Sequence, residues 1–271
     1  MTKIELLREN KDKIIHLYSF ENTSAKEISR LFKVDHSQIR QILKENNIKT
    51  RSISESAKYY RTYQFNENFF EVIDTENKAY WLGFILADGH VSELSITIGL
   101  DQKDKHHLLK LVDALEYNKV PKITESKTIN ILTISSHKMS TSLRKLGLLK
   151  NKTFSLPQIN ISSDLYFHFL RGYFDGDGCI TSIGRTHKNL SFGLTSGDLN
   201  FLKCISDQLI EQLNIRSGKF RKYKNKEAFD VRYFKKEEVE KILYSIYDNA
   251  TVYLERKYSR YLNYLNGKLS T

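Results

Sequence analysis

The sequence runs to 271 residues, 40% hydrophobic, with 43 Lys and Arg against 32 Asp and Glu, a formal net charge of +11. That length accommodates one large domain or two to three small ones, and the basic surplus suits a polyanionic partner, because neutralising phosphates releases counterions. Cys179 and Cys204 are the only two cysteines and form no CxxC pair, which argues against a disulfide or zinc scaffold; Met1 to Arg8 carries no apolar signal core and no window reaches the ~18 apolar residues of a membrane span.

From Glu9 to Asn47 the pattern is helical with short connections. Ile14, Ile15, Leu17 and Tyr18 give a first apolar face. Ser24-Ala25-Lys26-Glu27 has the spacing of a capping box, and Ile28, Leu31 and Phe32 are expected to face inward from the helix it opens. Asp35 is placed to cap a third helix with Ile39, Ile42 and Leu43 inside. Outside lie His36, Ser37, Gln38, Arg40, Gln41 and Lys44, whose side chains suit base edges and phosphates. The whole is a helix-turn-helix pattern over residues 1–52, its last helix expected in a major groove. A small helical bundle with Ser and Asp caps would read similarly, but the basic chain around it favours DNA binding. A basic and aromatic stretch over 53–78 reads as a linker, and Arg51 at its edge as a phosphate contact.

An internal repeat follows. Tyr80-Trp81-Leu82-Gly83-Phe84-Ile85-Leu86-Ala87-Asp88-Gly89 aligns with Phe169-Leu170-Arg171-Gly172-Tyr173-Phe174-Asp175-Gly176-Asp177-Gly178, 89 positions later. Each copy is an apolar helix-like run ending on Asp-Gly. Strand alternation comes next in both: Leu94, Ile96, Ile98 and Leu100 in one, Leu190, Phe192 and Leu194 in the other. Further strands are expected over Lys122 to Ser126, Asn130 to Ser135, Lys219 to Lys224 and Phe229 to Phe234. Closing helices are expected over Met139 to Leu146 and Lys236 to Tyr247. The order helix, two strands, helix, two strands, helix is thus written twice, over 79–160 and 161–271.

Gly83 and Ala87, like Gly172 and Gly176, are spaced i, i+4, so each motif helix carries a small-residue stripe that permits close approach of two backbones. Close approach would bring Asp88 and Asp177 together, each followed by a glycine suited to end a helix. Paired carboxylates are hard oxygen ligands for Mg²⁺, and metal-assisted phosphodiester hydrolysis is the chemistry they suit. An isolated Asp-Gly is more often an ordinary helix end; two copies at matched positions argue otherwise.

This repeated order and its two helices resemble the LAGLIDADG homing-endonuclease family in its single-chain, two-motif form, over roughly Asn66 to Asn266. The resemblance implies an α+β fold of two pseudo-symmetric αββαββα halves, with curved antiparallel sheets packed through two central motif helices, beside the small all-α helix-turn-helix domain. It implies a metal-dependent endonuclease, monomeric with an internal pseudo-twofold axis, that cuts double-stranded DNA at a long pseudo-palindromic site. Metal ligands would come from Asp88, Asp177 and the backbone of Gly89 and Gly178, and a basic residue late in each half, Lys152 and Lys257, would assist. Other divalent ions suit the same ligands. The sixth motif position departs from the pattern in the first copy, Leu86 against Asp175, which implies asymmetry between the half-sites.

Specificity is expected from the sheets. Arg216 to Lys236 holds nine Lys or Arg, and Lys219, Arg221, Tyr223 and Arg232 are its candidate DNA contacts, with Arg185, His187 and Lys188 in the preceding turn. Ser95, Thr97, Thr124, Ser126 and Thr133 are the first half's poorer set. Two alternatives stay open: a non-cleaving DNA-binding transcription regulator and an RNA-binding intron maturase of the same fold. An endonuclease within a self-splicing element is disfavoured, for want of a nucleophile at Met1 and a His-Asn pair at the end. The expected setting is cytoplasmic, of bacterial or phage type, or organellar, away from membranes.

Overall fold

Three capping boxes start three of the four described helices of the first compact unit. The computed structural model describes residues 2–51, 62–148, 161–183, 189–224 and 226–267, and its chain divides into units at Gln64/Phe65. In the first, α1 (Lys3–Glu9), α2 (Lys11–Ser19), α3 (Ala25–Phe32) and α4 (His36–Glu45) follow one another. Thr2 with Glu5, Ser24 with Glu27 and Asp35 with Gln38 satisfy each other's orphan backbone donors at the starts of α1, α3 and α4. Lys33, in the left-handed region at φ 51°, ends α3 and swings the chain into α4, giving a helix-turn-helix. Leu7, Ile14, Tyr18, Ile28, Ile39, Ile42 and Leu43 form the core of this unit. The first helix was not evident in the sequence. Leu31, expected inside, is 66% exposed, because the core stripe of α3 runs through Ala25, Ile28 and Ser29 instead.

Residues 53–61 of the expected linker lie outside the described residues. The rest of it is no tether, since Phe65 stacks on Tyr117 at 4.4 Å and Phe69 and Phe70 are buried in the second unit.

That unit repeats one order twice. The first half runs α5 (Glu76–Asp88), β1 (Gly89–Val91), β2 (Ser95–Asp101), α6 (Lys105–Ala114), β3 (Thr124–Glu125), β4 (Ile129–Ser135) and α7 (His137–Lys145). The second runs α8 (Ser163–Asp177), β5 (Gly178–Ile183), β6 (Asn189–Ser196), α9 (Leu199–Leu213), β7 (Lys219–Lys222), β8 (Phe229–Tyr233) and α10 (Lys236–Tyr247). An unanticipated helix, α11 (Glu255–Leu265), follows. Both sheets are antiparallel and four-stranded, in the orders β1-β2-β4-β3 and β5-β6-β8-β7. The fold is α+β with duplicated halves, as the repeat predicts. The strands expected from Lys122 and through Lys224 are shorter than their sequence patterns.

Registers match between halves: Gly89 pairs with Ile98 and Ile98 with Leu132, as Gly178 pairs with Leu194 and Leu194 with Val231. Strand alternation turns Ile96, Ile98, Leu132 and Ile134, or Phe192, Leu194, Val231 and Tyr233, into the core. The opposite faces carry Ser95, Thr97, Thr124 and Thr133 in the first sheet and Arg221, Asp230 and Arg232 in the second. Ser126, by contrast, spends its hydroxyl on Ile129 O in the β3–β4 turn. Helix α5 is buried all round from Ala79 to Leu86, which marks a central rather than a surface helix. No described helix is long and apolar enough to cross a membrane.

Candidate active site and nucleic-acid interface

The two central helices touch backbone to backbone. A Cβ at Gly83 would lie 2.1 Å from Phe169 O and 2.9 Å from Tyr173 N; one at Gly172 would lie 1.9 Å from Tyr80 O and 2.9 Å from Phe84 N. Further along, a Cβ at Gly176 would meet Ala87 Cβ at 2.4 Å and the Asp88 carboxyl at 3.4 Å. Contacts advance together along both chains, so α5 and α8 run parallel and their C-terminal ends coincide. Asp88 closes α5 and its carboxyl stands against Gly176, the residue before Asp177, which closes α8. Asp88 is exposed and Asp177 half-buried.

Gly89 and Gly178 end the helices for a reason other than a left-handed turn. Both are extended, at φ −86° and −92°. What requires glycine is proximity: a Cβ would sit 2.7 Å from Ile85 O in one and 2.4 Å from Phe174 O in the other. The chain thereby turns straight from helix into β1 and β5.

Lys257, on the first turn of α11, is 4% exposed beneath the end of α8. Its ammonium donates to Phe174 O at 2.5 Å, Gly178 O at 2.7 Å and Asp175 O at 2.9 Å. An ammonium has three N–H groups, so these carbonyls occupy it fully, and it acts as a cation at a helix C-terminus rather than as a group facing solvent. Burial pushes it down to about 8, while the Asp175 and Asp88 carboxylates pull it the other way. Lys257 thus holds in place the turn that carries Asp177, and the Gly178 carbonyl, expected toward a metal, already accepts from it.

Asp175, at the sixth motif position, is buried and joins the halves. It accepts from Tyr80 Oη at 2.8 Å and from Leu254 N at 2.7 Å. Burial raises its carboxyl to about 6 against the pull of Lys257 and these hydrogen bonds. Tyr80 has one O–H, and with it on Asp175 the 2.8 Å contact to His107 Nε2 must be donated by the imidazole. His107 Nδ1 is then a bare, buried acceptor without a partner. Desolvation, with help from the Lys110 charge, depresses His107 to about 3. Arg171, fully buried, bonds Glu76 at 2.5 Å, Ile246 O at 2.7 Å and Val252 O at 2.8 Å. None of these ties was read from the sequence.

The expected contacts divide four ways. On α4, His36, Ser37, Arg40, Gln41 and Lys44 are exposed, whereas Gln38 is half-buried and its amide oxygen caps Asp35 N at 3.3 Å. Arg51 is occupied within its unit: its guanidinium bonds Asn22 O at 3.0 Å and Tyr18 O, and lies 4.3 Å over the Tyr18 ring, pinning the chain after α4 to α2. In the second sheet Arg221, Tyr223 and Arg232 converge on Asp230, with Lys219 paired beside Arg232. Lys152, Arg185, His187 and Lys188 lie outside the described residues.

The LAGLIDADG-like domain family model matches residues 164–247, from the start of α8 to the end of α10. The second half of this chain is a LAGLIDADG-like domain. Among solved structures, a variant of I-SmaMI is similar at 14% identity and a TM-score of 0.51, the match covering 72% of this chain and 89% of that one. The LAGLIDADG meganuclease I-AabMI bound to uncleaved DNA matches at 19% identity and a TM-score of 0.49, over 70% of this chain and 89% of the other. Full-length DUF199/WhiA from Thermatoga maritima matches at 17% and 0.48, over 77% and 68%. No curated protein matches the sequence. At 14% identity the likeness to the I-SmaMI variant concerns the fold alone.

Proposed function

We propose that this protein is a sequence-specific endonuclease that cuts both strands of a long, imperfectly palindromic DNA duplex, working as a single chain with Mg²⁺ as its ion. The observation that carries the reading is the parallel, glycine-mediated contact of α5 and α8, which brings Asp88 and Asp177 to one end of the helix pair.

The residues present fit such an ion. Two carboxylates, one from each half, are hard donors. Such a sparse set suits Mg²⁺, which keeps several waters and takes phosphate oxygens as ligands. When bound, the ion would lower the pKa of a water and offset charge on the phosphoryl group. The chain's own part is positional. Glycine stripes set the spacing, Lys257 fixes the end of α8, and the sheets grip DNA through their non-core faces. The exposed face of α4 adds contacts on one flank.

The test uses the full chain with Mg²⁺ and a site selected from a randomised duplex pool, comparing the native protein with Asp88→Asn and Asp177→Asn. Each variant should bind the selected site with native affinity and cut it at least about 10²-fold more slowly, the order lost when a transition-state charge partner is removed. Native cutting rates in either variant would remove that carboxylate's role. Binding without cutting by the native chain would turn the reading toward a regulator, and selection of RNA over duplex DNA toward a maturase.

A further inference from the structure

Asp230 lies among the cations Lys219, Arg221 and Arg232 on the non-core face of β7 and β8. It sits on β8, whose alternation sends Val231 and Tyr233 into the core and Asp230 and Arg232 to the other side. Even so it is 1% exposed, because basic and aromatic side chains close over it. Arg221 grips it with two bonds, Nε to Oδ1 at 3.3 Å and Nη2 to Oδ2 at 2.7 Å. Arg232 Nε donates to Oδ2 at 2.9 Å, and Tyr223 Oη to the same oxygen at 3.3 Å. Burial works to raise the Asp230 carboxyl, but the bonds from Arg221 and Arg232 outweigh it and hold it ionised below its ordinary range.

Each arginine makes one further contact. Arg221 lies 4.9 Å over the Tyr223 ring. The stem of Arg232 crosses Gly193, where a Cβ would approach its Cγ to 3.3 Å. A guanidinium carries five donors, and the Asp230 contacts use two from Arg221 and one from Arg232, so both keep donors for another partner. Ordering a free arginine costs much of its rotamer freedom at the moment of binding. Here that ordering precedes any ligand.

The first half supplies an internal control. By strand register, Ile131 stands where Asp230 does, Thr133 where Arg232 does and Thr124 where Arg221 does. The charged set therefore belongs to one sheet alone and is not required by the fold.

We infer that Asp230 is a specificity-setting positioning residue, which holds Arg221 and Arg232 ready to read guanines in the half-site facing the second sheet. Fixed, planar, doubly donating side chains match the O6 and N7 acceptors of guanine in the major groove. A mobile arginine at the same place would fall to phosphates, where it adds affinity without sequence information. An acid facing DNA also repels phosphate, so its presence is better explained by orientation than by attraction. This inference rests on the DNA-cutting reading above.

The experiment selects duplexes from a randomised pool with the native chain, with Asp230→Asn and with Arg221→Lys, in 150 mM salt and in low salt. The asparagine keeps shape and loses charge; the lysine, at an exposed position, keeps charge and loses the fork. Native selections should show guanine preference at one or two positions of one half-site. Both variants should lose that preference by between about 5- and 100-fold, the range for a bidentate guanine contact, while the other half-site's preferences stay as in the native chain. Affinity of Asp230→Asn for unrelated duplex should hold or rise, since its net charge rises by one, whereas a merely structural lesion would lower specific and unrelated binding together. Unchanged guanine preference in both variants would overturn the inference and leave the nuclease reading standing. So would guanine loss in Asp230→Asn alone, accompanied by weaker binding to every duplex. If the native chain enriches no duplex at all, both readings fall.

Discussion

The contact between α5 and α8 can be opened by one methyl group. In Gly172→Ala the new Cβ would lie 1.9 Å from Tyr80 O, 2.8 Å from Tyr80 C and 2.9 Å from Phe84 N, all backbone atoms of a buried helix. Real Cβ atoms do not approach closer than about 3.0 Å, and no side-chain rotation relieves a backbone clash, so the helices must part by roughly 1 Å. Overpacking of this kind costs about 3 kcal/mol at the upper end of its range. Alanine regains roughly 1 kcal/mol through helix propensity. The net loss of about 2 kcal/mol corresponds to a drop of about 4–8 °C in Tm for a unit of this size.

Trp81, the only tryptophan and fully buried in α5, reports that melting by its fluorescence. Gly99→Ala is the control: its Cβ would meet Ile129 Cγ2 at 3.5 Å and Ile131 Cγ1 at 3.9 Å, ordinary contacts, and it should melt as the native chain does. On the endonuclease reading the same separation carries Asp88 away from Asp177, and a displacement near 1 Å slows cutting by about 10²-fold. Binding of the selected duplex should change far less, since the sheets that grip it are unaltered. A Gly172→Ala chain that melts and cuts as the native one does would refute the close parallel packing, and with it the shared centre.

Two further predictions concern the groups around that centre. His107 carries a depressed pKa, so the stability it leaves intact above its ordinary 6.5 is lost as pH falls toward about 3, at about 1.4 kcal/mol per pH unit. Asp175, raised to about 6, works in the opposite sense, its contribution being present at low pH and lost as pH rises through 6. These two contributions offset one another between about pH 4 and 6, so the signature is the difference: His107→Gln should gain on the native chain steadily as pH falls from about 6.5 to about 4 in urea unfolding followed at Trp81. A difference that does not vary with pH would contradict the buried, neutral imidazole. In Lys257→Met the carbonyls of Asp175 and Gly178 lose the ammonium, at about 1–3 kcal/mol for each group left unsatisfied, while Phe174 O keeps the Gly178 N–H, so Tm should fall clearly; an unchanged Tm would mean that water replaces the ammonium there.

What the sequence disclosed was whatever depends on apolar periodicity. The motif helices, the strands of both sheets and α10 follow from side chains that must be buried, and the repeat at 89 positions made each half a check on the other. Elements stabilised by polar contacts were hidden. Helix α11 (ERKYSRYLNYL) is dense in charge and tyrosine and reads as a tail, although its first turn carries the buried Lys257. Nothing in a lysine's neighbours announces burial when its acceptors are backbone carbonyls, which leave no mark in the sequence. The contacts of Arg51 and Gln38 within their own unit were hidden for a related cause: a side chain suited to a phosphate or a base edge serves equally well as a cap or a clamp on its own unit. Asp230 was visible, with Glu227, as one of two acids in a basic stretch, alternating with Arg232, but its place on the non-core face needed the register of β7, β8 and β6.

The asymmetry between Leu86 and Asp175 follows from how the halves are held together. Helices that meet at glycine bury little side-chain surface at their crossing, so that contact alone resists sliding along the axis only weakly. Polar ties resist it instead. Arg171 of the second half takes Glu76 of the first, and Asp175 takes Tyr80. From α11, Glu255 takes His106 and Lys110, and Arg256 takes Asp104 at 2.8 Å. A symmetric dimer of identical subunits would repeat each tie about its axis, and each would need room for its copy. A single duplicated chain needs each only once, so Leu86 is left as plain core packing, fully buried, where the second copy has its acid. The same release from symmetry applies to the sheets, and the charged set around Asp230, present in one half and replaced by Ile131, Thr133 and Thr124 in the other, is its counterpart on the non-core face.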